Sequence, residues 1–486
     1  MDHVERPRRV AVIGGGISGL AAAHRMRELA GAHEIPLLVD LYERGARVGG
    51  ALETIRRDGF VIETGADSFL SEKPAAIKLA ERLGLVGEQI ATQEQFRKTL
   101  VVRDGRLVAI PEGFSLIAPT WLGPLFKSPL FSARGKLRIA IEPLIPRRRD
   151  DDDDESLASF VIRRLGRETL ERIAQPLAGG IYTADPATLS IGASLPRFVE
   201  MERRYGSVIR GLRAAARART AELRGTSGAR WSLFVSFRGG IETLVRTIAA
   251  RIEESIHYHA RMGAELAALT PTGETPAWRL DFRDGSVATA DAVIGAAPAF
   301  AIAPLIQPLN RELAATLADL AYASAATVNL AYRAADFPRA PDAFGFVVPI
   351  AEGRRIIAGS FSSLKFAGRA PAAMVLARVF VGGALQTSLM EMDDAAMIAA
   401  ARAEFSTLLG VIAEPAFAYV RRWPRSMPQY TVGHLARVAE IERMSAAIAG
   451  FALAGAYLRG VGIPDCIASG EHAAEAIFAQ LAPATG

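Results

Sequence analysis

The chain has 486 residues, half of them apolar and 22% charged, with a formal charge of +5 and a single cysteine, Cys466. A chain this long and this apolar is expected to bury two or three cores, which excludes a disordered polymer. One cysteine excludes an internal disulfide and any multi-cysteine zinc or iron–sulfur site, the seven histidines show no metal-ligand spacing so no metal is expected, and dispersed arginines argue against a nucleic-acid groove.

The first element in chain order is Val10-Ala11-Val12-Ile13, an apolar run that reads as a buried parallel strand. It leads into Gly14-Gly15-Gly16-Ile17-Ser18-Gly19, and then into a helix expected from Leu20 to Leu29. Strand, G-x-G-x-x-G and helix form the dinucleotide-binding unit. Gly14 permits the tight turn, Gly16 lets the amides around Ile17 and Ser18 approach a pyrophosphate at the positive helix end, and Gly19 lets helix and strand pack closely. A second strand, Leu37 to Tyr42, ends in Glu43, 24 positions after Gly19. A carboxylate there accepts hydrogen bonds from ribose hydroxyls and disfavours a 2′-phosphate.

FAD and NAD both use this unit, so the residues after Glu43 decide between them. Arg44 to Gly50 reads RGARVGG, and Arg47-x-Gly49-Gly50 resembles the second glycine signature of the amine-oxidase-like flavoproteins, in which the doublet helps hold FAD. The alternative for this stretch is a solvated basic turn. GADSFLSEKP (Gly65 to Pro74) follows, with Gly65 and Ala66 as further cofactor candidates, and then EQFRKTLVVRDGRLVAIP (Glu94 to Pro111).

Gly113 to Ile145 is rich in Leu, Phe, Trp and Pro, with Lys127, Arg134, Lys136 and Arg138 among them. It reads either as a buried helical subdomain or as an interfacial membrane patch facing anionic lipid. The run RRRDDDDDES (Arg147 to Ser156) reads as a solvated loop entering a helix whose acidic first turn complements the dipole. No stretch reaches 18 uninterrupted apolar residues and no signal peptide is visible, so the expected location is cytoplasmic, with peripheral contact on the inner membrane face left open.

FRGGIETLV (Phe237 to Val245) and DAVIGAAP (Asp291 to Pro298) look like strands returning to complete the FAD unit. ATVNLAYR, FGFVVP, RIIAGSF and VLARVFVGG, followed by a helix near Ala395 to Leu409, read as an antiparallel sheet covering the flavin. LAGAYLRGVGIPDCIASGEHAAEAI (Leu453 to Ile477) looks like the closing strand, loop and helix, with Gly455, Gly460, Gly462 and Ile463 near pyrophosphate and flavin. The expected fold class is therefore α/β. A discontinuous Rossmann-like FAD-binding domain (1–82, 233–300 and 416–486) carries an α+β substrate domain (83–111 and 301–415) and a mainly helical insertion (112–232).

GADSFLSEKP, PLAGGIYTADPATLSI (Pro176 to Ile191), MPQYTVGHLARV (Met427 to Val438) and YLRGVGIPDCIASG (Tyr457 to Gly470) together resemble the oxygen-dependent protoporphyrinogen oxidase family of haem synthesis. The resemblance implies an FAD enzyme that takes six hydrogens from a porphyrinogen in three two-electron steps and passes them to O2 as peroxide. It implies that the backbone carbonyl of Gly180 faces the ring nitrogens, that Val347 and Phe380 sandwich the macrocycle with Phe344 nearby, and that Arg97 or Lys98 binds a propionate. Either cation also reads as a solvated strand end. No side chain is expected to act as catalytic acid, base or nucleophile, because the flavin carries the chemistry. Cys466 and His434 read as packing residues. The family implies membership of porphyrin biosynthesis, and its members are often dimers.

Two points stay open at this level. Protoporphyrinogen IX, with two propionates, stands first as substrate, and coproporphyrinogen III, with four, is the alternative. More distant readings are an amine oxidase or carotenoid desaturase, for which the aromatic cage and flavin-side lysine of amine oxidases find no counterpart, and a GDP-dissociation-inhibitor-like binder, which predicts a degraded glycine motif.

Overall fold

The computed structural model describes residues 6–148, 154–223, 233–254, 257–275 and 277–481. Its organising element is a five-stranded parallel sheet in the order Tyr258–Met262, Leu37–Glu43, Arg8–Ile13, Ala292–Gly295, Phe451–Leu453. Val10 and Val12 point into a core shared with the helices Ile17–Ala32, Glu242–Glu253 and Ile463–Leu481. Ala11 and Ile13 point into a second core with the helices Ala299–Ile306, Arg311–Ala318 and His434–Ala446. With both faces covered, the strand carries no polar side, which is why it reads as a continuous apolar run. The first helix starts at Ile17, three residues earlier than its alanine-rich face suggests, because the extended Gly16 is already its N-cap.

A seven-stranded sheet runs in the order Phe417–Pro428, Tyr322–Arg333, Met374–Gly382, Ala358–Phe361, Gly345–Val347, Thr99–Arg103, Arg106–Ala109. It is antiparallel except where Gly345–Val347 pairs parallel with Thr99–Arg103. Residues 417–428 therefore run with this sheet, pairing along Tyr322–Arg333. Of RIIAGSF, only Ala358–Phe361 forms strand. Val102, Phe346 and Val348 face the helix Asp394–Leu409, where they meet Met397, Ala401 and Phe405. Val101, Val347 and Ala358, one position over, face the helical segment and share a core with Phe160, Ile173 and Phe198.

The helical segment corrects one expectation. Asp150 to Asp153 lie outside the described residues, but the helix after them spans Leu157–Leu165 with no acid in its first turn. Ser156 Oγ accepts the Ser159 N–H at 3.1 Å and caps it instead. Asp154 turns inward, accepting from Ser190 Oγ and the Gly433 N–H at 2.8 Å each. Between 121 and 144 the apolar residues divide: Leu125, Leu130, Phe131 and Ile139 are buried, while Trp121, Phe126, Leu137 and Leu144 are exposed. Among the described residues no helix is long and apolar enough to cross a membrane.

Candidate active site

The carboxyl ends of the parallel strands converge on the glycine turn. Gly14, at φ +107°, lies so close to the strand Ala292–Gly295 that a Cβ on it would sit 2.8 Å from the backbone of Ala296 and Ala297. A Cβ on Gly19 would sit 1.9 Å from the Gly14 carbonyl oxygen, so helix and turn touch backbone to backbone. Gly16 differs from both: a Cβ there would meet nothing within 4 Å. The helix it caps has no side-chain cap and no acid in its first turn, so the amides of Ile17 and Ser18 open onto that space.

Glu43 closes one side, accepting the Gly15 N–H at 2.7 Å and the Gly45 N–H at 2.6 Å. Gly49 donates its N–H to the Gly15 carbonyl at 2.7 Å and forms a bridge with Gly16. Arg47 reaches back to the carbonyls of Val48, Gly50 and Leu52, which holds the second glycine signature in place. Arg44 is exposed. At the far side the Gly455 N–H donates to Ser469 Oγ at 3.0 Å, and the last helix, beginning at Ile463, runs beside the first. A Cβ on Gly470 would lie 2.1 Å from the Ser18 carbonyl, a contact between distant helices that no local motif announces.

Gly65 and exposed Ala66 join the two sheets. The Thr64 carbonyl accepts from Thr327 Oγ1 and Trp423 Nε1, both at 2.8 Å, and the Gly65 carbonyl accepts from Arg378 Nη1 at 2.7 Å. Buried Asp67 then holds Lys365 Nζ at 2.8 Å and Arg378 Nη2 at 2.9 Å. Burial alone would raise the Asp67 carboxyl, but the two cations outweigh it and hold that group well below the usual carboxylate range. Sequence reasoning missed this network because Asp67 and Arg378 are 311 positions apart and neither lies in a pattern of its own.

Beyond this junction a strand row and a helix meet along a seam, the candidate substrate slot. Val347, Ala358 and Phe380 are successive partners on neighbouring strands, and Thr327 continues the row. Side chains at directly opposed positions share a face, so Val347 and half-buried Phe380 line one wall. The facing wall is the helix Gln175–Tyr182, which follows a π-helical turn at Leu170–Ala174. A Cβ on Gly180 would be 3.7 Å from Val347 Cγ1. In this last turn, carbonyls outnumber the helix's own donors. The Gly179 carbonyl takes the Thr183 N–H and the Tyr182 carbonyl takes Gln429 Nε2, while no donor among the described residues reaches that of Gly180.

The other sequence candidates fall elsewhere. Phe344 is two residues before Phe346, whose side chain serves the opposite face from Val347. Lys98 is exposed and paired with Asp342 at 3.1 Å. Arg97 is exposed at the end of a 3-10 turn, four residues before Val101. Cys466 is buried and its thiol is pushed up to about 12 by burial, which keeps it protonated and inert. His434 Nε2 lies 2.8 Å from the Leu458 carbonyl, its ring stacks on Tyr430 at 3.9 Å, and burial lowers its pKa, so it packs and does not face the slot.

The model of the family "Flavin containing amine oxidoreductase" matches residues 17–478. The chain belongs to that family. As a member of this flavin-containing family it is an FAD-dependent oxidoreductase of amine-oxidase-like fold. The open face of Gly16, the uncapped helix start and Glu43 fit a dinucleotide: the amides would hold the pyrophosphate and Glu43 the ribose. Within the family, the chain is 34% identical to a coproporphyrinogen III oxidase of Propionibacterium freudenreichii, over 98% of this chain and 92% of that one. It is 32% identical to the coproporphyrinogen III oxidase of Bacillus subtilis, covering 96% and 97%. It is 31% identical to the protoporphyrinogen oxidase of Bos taurus, covering 97% and 98%. These full-length similarities place it in the porphyrinogen-oxidase branch of the flavin-containing family.

Proposed function

We propose that this chain oxidises coproporphyrinogen III to coproporphyrin III, with O2 as acceptor. Six hydrogens leave the macrocycle in three two-electron steps, and three O2 become three H2O2. When bound, FAD would supply the two-electron acceptor. The protein's part is to bind, orient and exclude water. The observation that supports this reading is the seam where exposed Gly180 meets Val347, with half-buried Phe380 on the same sheet row. In this reading a flat apolar macrocycle lies beside the seam against half-buried Phe380, and the unclaimed Gly180 carbonyl is an acceptor for pyrrole N–H groups.

The motifs alone put protoporphyrinogen IX first. Two bacterial relatives named as coproporphyrinogen III oxidases reverse that order, and the bovine relative keeps protoporphyrinogen IX as the second reading. The deciding assay follows porphyrin fluorescence and peroxide with each substrate, with and without O2. Faster turnover of the tetracarboxylate supports the reading; turnover of protoporphyrinogen alone replaces it with the second. Phe380→Ala should retain flavin while kcat/KM drops about a hundredfold, since it removes a large aromatic contact at the ring. Unchanged kinetics would remove Phe380 from the site.

We also place the enzyme on an anionic membrane surface. Trp121, Phe126, Leu137, Ile141 and Leu144 are exposed within one short helical segment, with exposed Lys127 and Arg134 beside them. Arg138 is not part of that patch, because it donates to the carbonyls of Ile162, Arg163 and Arg164. The holoenzyme should co-sediment with vesicles containing anionic lipid. Trp121→Glu combined with Leu144→Glu should weaken that binding at least about tenfold, through roughly 2 kcal/mol of lost apolar burial. Equal sedimentation of variant and parent would contradict the placement.

A further inference from the structure

Most arginines on the helical wall have acidic or carbonyl partners. Arg163 and Arg164 hold Glu202, Arg172 pairs with Glu168, and Arg203 with Glu200. Arg197 departs from this pattern, as Arg134 and Arg204 do, but unlike them it lies beside Tyr182. Among the described residues no carboxylate lies within ion-pairing distance of it, and its one side-chain hydrogen bond is to Ser115 Oγ at 3.2 Å. It is also on the wrong end of its helix. The helix Pro196–Tyr205 has no acid in its first turn, yet Arg197 is its second residue, where the backbone dipole disfavours a cation. A local rule broken without local compensation marks a position shaped by something else.

The surroundings of Arg197 tie it to the slot. Tyr182, two residues after Gly180, donates its hydroxyl to the Ser194 carbonyl at 2.7 Å, just before the helix that carries Arg197. Leu195, Phe114, Leu116 and Tyr182 pack as half-buried residues on the same core as Val347 and Phe380. The guanidinium lies 4.9 Å from the Phe198 ring, which fixes its stem. Its electrostatic neighbours are Glu72 and the neutral phenol of Tyr182, and Lys73 beside Glu72 is locked to Asp465 in the first turn of the last helix at 2.7 Å. Arg197 is open to solvent on one side, but burial on the other lowers its pKa.

Resting on the reading of the slot as a porphyrinogen site, we infer that Arg197 is the residue that anchors a propionate of the substrate, from the helical wall and at the slot's Tyr182 end. A guanidinium fork matches a carboxylate bidentately, and a substrate carboxylate supplies the direct ion pair that Glu72, outside ion-pairing distance, does not.

The test is steady-state kinetics of the FAD-loaded enzyme with coproporphyrinogen III, and equilibrium binding of coproporphyrin III. Arg197→Gln should raise KM and weaken product binding about tenfold or more while kcat stays within about twofold, the signature of lost uniform binding by one charge-assisted contact. Arg197→Met, which keeps the stem over Phe198, should show the same rise and so separates charge from packing. The wild type should prefer the free acid to its tetramethyl ester, and both variants should narrow that preference. If either folded, flavin-loaded variant keeps the wild-type KM and acid-over-ester preference, the anchoring role is wrong while the porphyrinogen reading stands. If the wild type neither binds the porphyrin nor oxidises either porphyrinogen, the reading of the slot fails and the inference falls with it.

Discussion

Gly19→Ala is expected to give a protein that purifies without its yellow colour. The added Cβ would sit 1.9 Å from the Gly14 carbonyl oxygen, a backbone atom that cannot swing away as a flexible side chain can. The helix Ile17–Ala32 must therefore move off the turn, taking the amides of Ile17 and Ser18 out of reach of the pyrophosphate. A shift of this kind costs several kcal/mol, so FAD affinity should fall at least about a hundredfold, read from flavin absorbance after dialysis. Gly16→Ala separates ligand contact from packing. Its Cβ meets no protein atom within 4 Å, so the apoprotein should melt as the parent does. The methyl would instead occupy the space assigned to the pyrophosphate, and FAD should bind at least about tenfold more weakly. Normal FAD affinity in Gly16→Ala would mean that the pyrophosphate lies elsewhere.

These two glycines also show why the cofactor half of the site is legible in the sequence. The dinucleotide turn is local: strand, glycines, helix and terminal acid lie between Val10 and Glu43, and each is demanded by a contact made within that stretch or by the ligand. The exact helix start was legible less well, since capping depends on the backbone of Gly16 and not on the apolar face. The slot is different. Its walls come from residues around Gly180 and around 347–380, and the row Val347, Ala358, Phe380 exists only once the strands are in register. Family motifs could suggest those residues; periodicity could not. Arg197 lay inside no motif at all. The signal that finds it is its lack of an acid partner together with its place beside Tyr182, which needs the neighbouring elements in place.

Asp67→Asn should be strongly destabilising, because it removes the one carboxylate that Lys365 and Arg378 share. Deleting one member of a buried charge cluster leaves the others uncompensated, at a cost of about 3–5 kcal/mol at neutral pH. The pH dependence fixes the mechanism. The carboxyl is held below its ordinary range in the folded protein, against about 3.9 in the unfolded chain, so its contribution is fully present above that value and drains away as pH falls towards the folded pKa. Wild type and variant, compared by urea unfolding, should differ by a constant amount from pH 8 to about pH 5 and converge in stronger acid. An equal gap at pH 3 and pH 7 would assign Asp67 a steric role and not an electrostatic one. Because Arg378 also donates to the Gly65 carbonyl and lies 4.8 Å from the Phe380 ring, its release should loosen both the flavin-side loop and the macrocycle wall. The variant is therefore expected to lose flavin occupancy and kcat together, whereas a surface substitution of equal charge, Asp58→Asn, should change neither.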